Sequence, residues 1–241
     1  DSKEQATLDF FAEYKKKHTN FKVIDCIMDF NYSKINNIAV EQATGEYVVL
    51  LNNDTEVITG DWLKIMVGYA MQDHVGAVGP KLLYPDMTVQ HGGVILGLGG
   101  VASHAYIGAN RDDLGMYGRL RVPYDYSACT AACLMIKKEK FLEVGGLEED
   151  LKVAYNDIDF NIKLLEKGYY NVFLPNVELL HYESKSRGLD TTSEKYKRFQ
   201  LEEKYMYDKW KTKLTNDKFY NPNFSKKGWF MLDKTEKKMK K

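Results

Sequence analysis

The chain has no excess of either charge: 34 Lys and Arg stand against 34 Asp and Glu in 241 residues. A general nucleic-acid binder carries a basic surface, so that class of partner is set aside. Cysteine is scarce and odd in number. Cys26, Cys129 and Cys133 include no CxxC pair, which argues against a disulfide framework or a thiolate zinc site and fits a reducing compartment. Long apolar runs are missing too. Tyr47-Val48-Val49-Leu50-Leu51 is representative, far short of the ~20 residues of a membrane helix. No signal-peptide pattern is present, so the expected location is cytoplasmic. The chain opens on polar sequence without an initiator Met, as a fragment or a processed protein would.

What is present describes an ordinary folded domain. Hydrophobic residues make up 44%, aromatics 13% and charged residues 28%, which excludes disorder as the main state. At roughly 150 residues per domain, the length fits one large domain or a domain with an appendage. Charge is distributed unevenly. Seven Lys between Ser225 and Lys241 face only Asp233 and Glu236, a net of +5 that leaves the rest of the chain at −5. That basic tail could make peripheral contact with an anionic membrane, at about 1 kcal/mol per surface Lys, or could be a solvated end.

The coarse pattern alternates helix and strand. Helices are expected over 3–17, after Ser33 as N-cap, after Thr59 as cap, over 138–144, over Asp157–Leu165, and from Ser193 to about Leu214. The last carries an apolar stripe of Tyr196, Phe199, Met206, Trp210 and Leu214. Strands are expected at Phe21–Ile27, Tyr47–Leu51, Val75–Leu83, Thr88–Leu96, Thr130–Ile136, Tyr170–Leu174 and Val177–Leu180. Tyr47–Leu51 reads as a buried parallel strand because its apolar run is continuous. Residues 97–123 read as a long loop, a length that usually marks function or mobility. Five aromatics, Phe219, Tyr220, Phe224, Trp229 and Phe230, imply that the tail packs on something. The whole indicates an α/β fold with a mixed, mainly parallel sheet flanked by helices and a C-terminal helical extension. The domains divide as 1–190 and 191–241.

Ligands in such sheets sit beyond the carboxyl ends of strands, and three polar groups follow predicted strands or open a helix. Asn52-Asn53-Asp54-Thr55 offers a carboxylate for Mg²⁺ or Mn²⁺, or is a simple turn. Tyr155-Asn156-Asp157-Ile158-Asp159 offers a general base at a helix start, or merely caps that helix. His181 ends a strand and can ligate a metal or serve structure, and the following Lys185 and Arg187 could clamp phosphate. His91 and His104 are weaker candidates, structural or on the acceptor side. The Gly-rich run at 97–100 lacks a following GK[ST], and no GxGxxG follows a strand, so neither a phosphate loop nor a generic dinucleotide site is indicated.

Taken in order, these groups resemble the family-2 glycosyltransferases of the GT-A fold, over roughly residues 1–190. Asn52-Asn53-Asp54 is similar to the family's DxD motif. The run from Cys133 through Gly145-Gly146-Leu147-Glu148-Glu149 is similar to its acceptor-side segment. Asn156-Asp157 falls at its Glu-Asp pair, and His181 where a metal-contacting His often lies. Phe30 to Asn37 resembles the stretch before the DxD strand. The chain departs from the pattern in three ways: the opening strand-helix-strand unit is absent, Asn52 replaces the first acid, and Asn156 replaces the Glu. No QxxRW is present, which argues against a processive synthase.

The resemblance implies an inverting transfer of sugar from a nucleoside-diphosphate donor to a hydroxyl of a glycan acceptor, in bacterial surface-polysaccharide synthesis. It implies a divalent metal, Mn²⁺ or Mg²⁺, on Asp54 and His181, and Asp157 as the base, with Asp159 as the alternative. Asn36, Asn52, Asn53, Asp54, Asn156, Lys185 and Arg187 are implied to touch substrate. The competing reading is a non-catalytic carbohydrate- or protein-interaction domain.

Overall fold

The computed structural model describes residues 4–182 and 193–233. Helix α1 (Gln5–Lys17) buries none of its residues. It carries a surface aromatic cluster of Phe10, Phe11 and Tyr14, joined by Phe21. The strand expected at Phe21–Ile27 does not form: the segment is irregular and lies along α1, where Val23 to Ile27 and Phe11 share a cavity wall. The apolar, β-branched residues of this segment suit a strand, but a strand also needs a ladder partner for its N–H and C=O groups. None of the described strands supplies one here.

Helix α2 (Tyr32–Gln42) starts at Asn31, whose side chain accepts the Lys34 N–H. The cap is thus two residues before the expected Ser33, which is buried within the helix and donates its hydroxyl to the Leu151 carbonyl. Strands β1 (Tyr47–Leu51) and β2 (Thr55–Val57) precede helix α3 (Trp62–Ala70). Thr59 does not cap α3 with its side chain. It exchanges bonds with the backbone of Glu178 instead, tying the helix start to the sheet.

Strand β3 (Val75–Leu83) is buried throughout. The strand expected over Thr88–Leu96 is broken into β4 (Val89–His91) and β5 (Val94–Leu96). Gly93 turns the chain between them at φ +93°, where an added Cβ would sit 2.4 Å from the Tyr126 ring. Strand β5 pairs with β6 (Ala102–His104), and β7 (Tyr124–Tyr126) closes the long loop. Then come β8 (Cys133–Lys137), α4 (Lys138–Glu143), α5 (Asn156–Glu166), β9 (Tyr170–His181) and α6 (Ser193–Thr215). Strand β9 runs through Pro175 as one element, and its register against β3 shifts between Pro80 and Lys81.

The main sheet has the order β1-β8-β3-β9-β2, with β4 added to β3 and β7 to β9. It is mixed and flanked by helices, as expected. Its parallel seam among the described residues is β3–β9, and the pairs β1–β8, β3–β8, β3–β4, β2–β9 and β7–β9 are antiparallel. Strand β1 is thus antiparallel to its neighbour rather than parallel. Its continuous apolar run has another cause, packing on both faces, full at Val48 and Leu50 and partial at Tyr47 and Val49. Val48 and Leu50 pack with Val40, Phe141 and Phe160 on one side. Tyr47 and Val49 pack with Met66 of α3 on the other. Side chains such as Phe141 and Phe160 each contribute roughly 1.5–3 kcal/mol by leaving water.

The expected domain boundary at residue 190 lies outside the described residues. Beyond it, Met206 and Leu214 of α6 share a core cluster with Val94, Leu96, Ile158 and Ile162, whereas Tyr196 stays exposed. The tail aromatics do pack: Trp229 and Phe230 lie 5.3 and 5.0 Å from Tyr106, Tyr220 is buried, and Arg119 sits over Phe230. Lys226 of the basic tail donates to the Leu96 carbonyl. Lys234 and the lysines after it lie outside the described residues. No helix among the described residues is long and apolar enough to cross a membrane.

Candidate active site

The end of β9, the start of α5 and the strands β4 and β6 meet at a cavity of about 460 Å³, whose wall includes Gln90, His104, Thr130, Tyr155, Asp157 and His181; Asp54 is off the wall and adjoins it through His181. The first candidate group sits at one corner. The β1–β2 turn is held by Asn52 N–H to the Ala132 carbonyl, and by Tyr182 N–H to the Asp54 carbonyl. This places Asp54 Oδ1 3.2 Å from His181 Nε2, with Asn52 Nδ2 3.4 Å from the same nitrogen. On its other side, the His181 ring meets Gln90 Oε1 through Nδ1 at 2.7 Å. Asp54 Oδ1 is buried and accepts no hydrogen bond.

With neutral His181 presenting its Nε2 lone pair, this carboxylate oxygen and imidazole nitrogen would form an acceptor pair that a cation completes. Their chemistry, one carboxylate and one imidazole, suits Mn²⁺ or Mg²⁺ when phosphate oxygens and water fill the remaining positions. No cluster of three or more His, Cys, Asp or Glu able to hold a metal exists among the described residues. A cation here would therefore need such co-ligands.

Asp157 forms the second group. Tyr155, just before α5, is left-handed at φ 62° and ψ 4°, a conformation costly for a non-Gly residue. The turn buries Asn156 and leaves Asp157 on the cavity wall. Asp157 Oδ2 accepts the Ala131 N–H at 3.1 Å, and Oδ1 accepts the Ile158 N–H at 2.8 Å. Burial, and then the Asp157 charge, raise the pKa of Tyr32, whose hydroxyl donates to the Ala131 carbonyl.

Asn156 does not reach the cavity. It is buried, and its amide donates to the carbonyls of Leu151 and Val153, so it closes the preceding loop. Asp159 points elsewhere as well. It is fully buried, accepts the Trp210 indole N–H at 2.7 Å and pairs with Lys209 at 2.8 Å. Asn36 donates to the Tyr32 carbonyl within its own helix and does not line the cavity. Asn53 is exposed in the β1–β2 turn. Lys185 and Arg187 lie outside the described residues.

Two sets of contacts behind the wall were not read from the sequence. The loop from Leu147 to Lys152 is bound to α2 by Asn31, Ser33, Asn37 and the Tyr32 N–H. From the other side, Glu202 of α6 is buried and accepts the N–H groups of Val153 and Ala154 at 2.9 and 3.1 Å. The cavity residue His104 sends Nδ1 to the Gln90 carbonyl. Behind it, His91 is fully buried, with both ring nitrogens unpartnered. Burial first, then the charges of His104 and His181, hold its pKa well below the ordinary value. Burial pushes the Cys129 and Cys133 thiols up to about 12, as expected of core residues.

The chain is similar to known proteins in sequence and in fold. The model of the glycosyl transferase family 2 matches residues 1–145. The chain is 47% identical over 225 residues to the uncharacterized protein y4gI of Sinorhizobium fredii, covering 93% of this chain and 25% of that one. It is 37% identical over 166 residues to the O-antigen biosynthesis protein RfbC of Myxococcus xanthus, covering 68% and 13%. The chain thus spans a quarter or less of each of these relatives. Its fold is similar to a crystal structure of GalNAc-T7 with UDP, GalNAc and Mn²⁺, at TM-score 0.64 and 14% identity, covering 89% of this chain and 50% of that one. With a GT-A-like sheet and this match over more than half its length, the chain belongs to glycosyl transferase family 2.

Proposed function

We propose that the cavity transfers a sugar from a nucleoside-diphosphate donor to a hydroxyl of a glycan acceptor, with inversion. The observation that carries the reading is the buried Asp54 oxygen, which accepts no hydrogen bond and lies 3.2 Å from His181 Nε2, where His181 and Asp157 line one cavity. Asp54 and His181 would hold the divalent cation together with the donor diphosphate. When bound, that cation supplies charge neutralisation for the departing nucleoside diphosphate. Asp157, oriented by two backbone N–H groups, takes the proton from the acceptor hydroxyl as it attacks the anomeric carbon.

The RfbC and GalNAc-T7 relationships support a role in bacterial surface-polysaccharide synthesis and a nucleotide-sugar donor. The free, buried cysteines support a reducing, cytoplasmic setting. The basic tail would add a peripheral contact with the inner face of the membrane, and 191–241 would act as an extension of the 1–190 domain.

Calorimetry with UDP, GDP and dTDP, with and without Mn²⁺, tests the donor site. Binding of one nucleotide should require Mn²⁺ and disappear in Asp54→Ala. A folded wild-type chain that binds none of them, but binds glycan without nucleotide, would instead be a carbohydrate-interaction domain.

A further inference from the structure

We propose that Gln90 is a positioning residue for the metal corner: it fixes which nitrogen of His181 carries the proton and so turns the other toward Asp54. The inference rests on the Asp54–His181 reading above and assigns the group that makes it work. Gln90 is buried in β4 and contacts His181 twice. Its Nε2 lies 3.3 Å from the His181 carbonyl oxygen, and its Oε1 lies 2.7 Å from the ring Nδ1.

The chemistry of the carboxamide allows one orientation. A backbone carbonyl only accepts, so the Gln90 NH₂ must face it. Oε1 is then the atom against the ring, and since it can only accept, Nδ1 must donate. In a neutral imidazole the remaining nitrogen, Nε2, bears the lone pair. That nitrogen is the one 3.2 Å from Asp54 Oδ1. The Asn52 amide, 3.4 Å from Nε2, is on the side from which a donor would meet that lone pair. The backbone contact is as important as the ring contact, because it prevents the carboxamide from flipping and presenting NH₂ to Nδ1. Outer partners of this kind set ligand tautomer and typically change metal affinity 10- to 100-fold.

Two measurements test the proposal. In wild-type protein at neutral pH, two-bond ¹H–¹⁵N correlation of the imidazoles, with His181→Asn for assignment, should show Nε2 of His181 unprotonated and Nδ1 protonated. Titration of Mn²⁺ with UDP, GDP or dTDP, whichever the wild type binds, should be weakened 10- to 100-fold in Gln90→Met. In Gln90→Glu, which retains an acceptor against Nδ1, the loss should be smaller than in Gln90→Met. A His181 ring protonated on Nε2 would overturn the proposal even if no variant folds. So would Gln90→Met binding Mn²⁺ as tightly as the wild type. If the wild type binds no nucleotide with Mn²⁺, the metal reading of Asp54 and His181 fails, and the role of Gln90 falls with it.

Discussion

The two halves of the site are built in opposite ways. The corner of Asp54 and His181 is under-satisfied: a buried carboxylate oxygen accepts no hydrogen bond and faces a ring nitrogen. The Asp157 side is over-determined. Both of its carboxylate oxygens take backbone N–H groups, and the loop before it is gripped by α2 on one flank and by Glu202 of α6 on the other. Buried polar groups are normally paired, so an unpaired one costs free energy and needs a reason. A ligand that completes the first corner would supply that reason. On the proposed function, the second half contains the group that would be aimed at a reacting atom, and aiming requires rigid support. The contrast distinguishes a place where something binds from a place where something is held.

The largest effect tests that division of labour. Asp157→Asn should lower transfer by about 10²- to 10⁴-fold, the range for losing a general base. The Mn²⁺-dependent nucleotide affinity should stay within about twofold, because the corner is intact. Equal losses in turnover and in nucleotide affinity would show that the two halves are not separate, and normal turnover would remove Asp157 from the role.

The next effect concerns the grip on the rigid half. Glu202→Gln leaves one of the Val153 and Ala154 N–H groups without an acceptor, a cost of about 1–3 kcal/mol. Urea unfolding should register that loss. Turnover should fall while the Mn²⁺-dependent nucleotide affinity holds. A change in metal affinity instead would mean that α6 supports the corner too.

A third effect asks whether every unpaired group in this region awaits a ligand. His91 is also unpartnered, but it is absent from the cavity wall and its pKa is depressed by burial. Below the unfolded value near 6.5, the unfolded chain binds a proton that folded His91 refuses. Stability should therefore be retained above about pH 6.5 and fall as pH drops below it, by up to about 1.4 kcal/mol per pH unit. His91→Leu should flatten that slope in urea titrations between pH 5 and 6.5. An unchanged slope would assign the loss to other groups.

The sequence made the polar groups at Asp54 and Asp157 visible as candidates because both are written locally. A polar cluster directly after an apolar run, as at Asn52-Asn53-Asp54, or at the mouth of a helix, as at Asn156-Asp157, is visible without the fold. Gln90 and Glu202 were not legible, since their partners lie 91 and about 49 residues away along the chain. Glu202 looks like any charged residue on an amphipathic helix until α6 docks. Strand direction was illegible for a related reason. The apolar run of β1 reports packing on two faces, one buried and one partly so, while direction is set by whichever strand lies alongside, here β8. Phe21–Ile27 shows the same limit: its apolar composition suits a strand, and no described strand pairs with it.

The smallest effect separates resemblance from geometry within α2. Asn36 and Asn37 are adjacent, and the resemblance to the family assigns Asn36 to substrate. In the structure, Asn37 bonds both the N–H and the carbonyl of Leu147 across the fold, whereas the Asn36 amide donates to Tyr32 one helical turn away. Asn36→Ala therefore loses one local contact and gains helix propensity of up to about 0.7 kcal/mol. The two nearly cancel, so stability should change by less than about 0.5 kcal/mol, and nucleotide affinity should not change at all. Asn37→Ala should cost as much as Glu202→Gln, because it releases a wall of the rigid half. A drop of threefold or more in nucleotide affinity for Asn36→Ala, with stability intact, would put Asn36 in contact with the donor. The supporting helix would then also be part of the binding surface, and the division between the two halves would no longer hold.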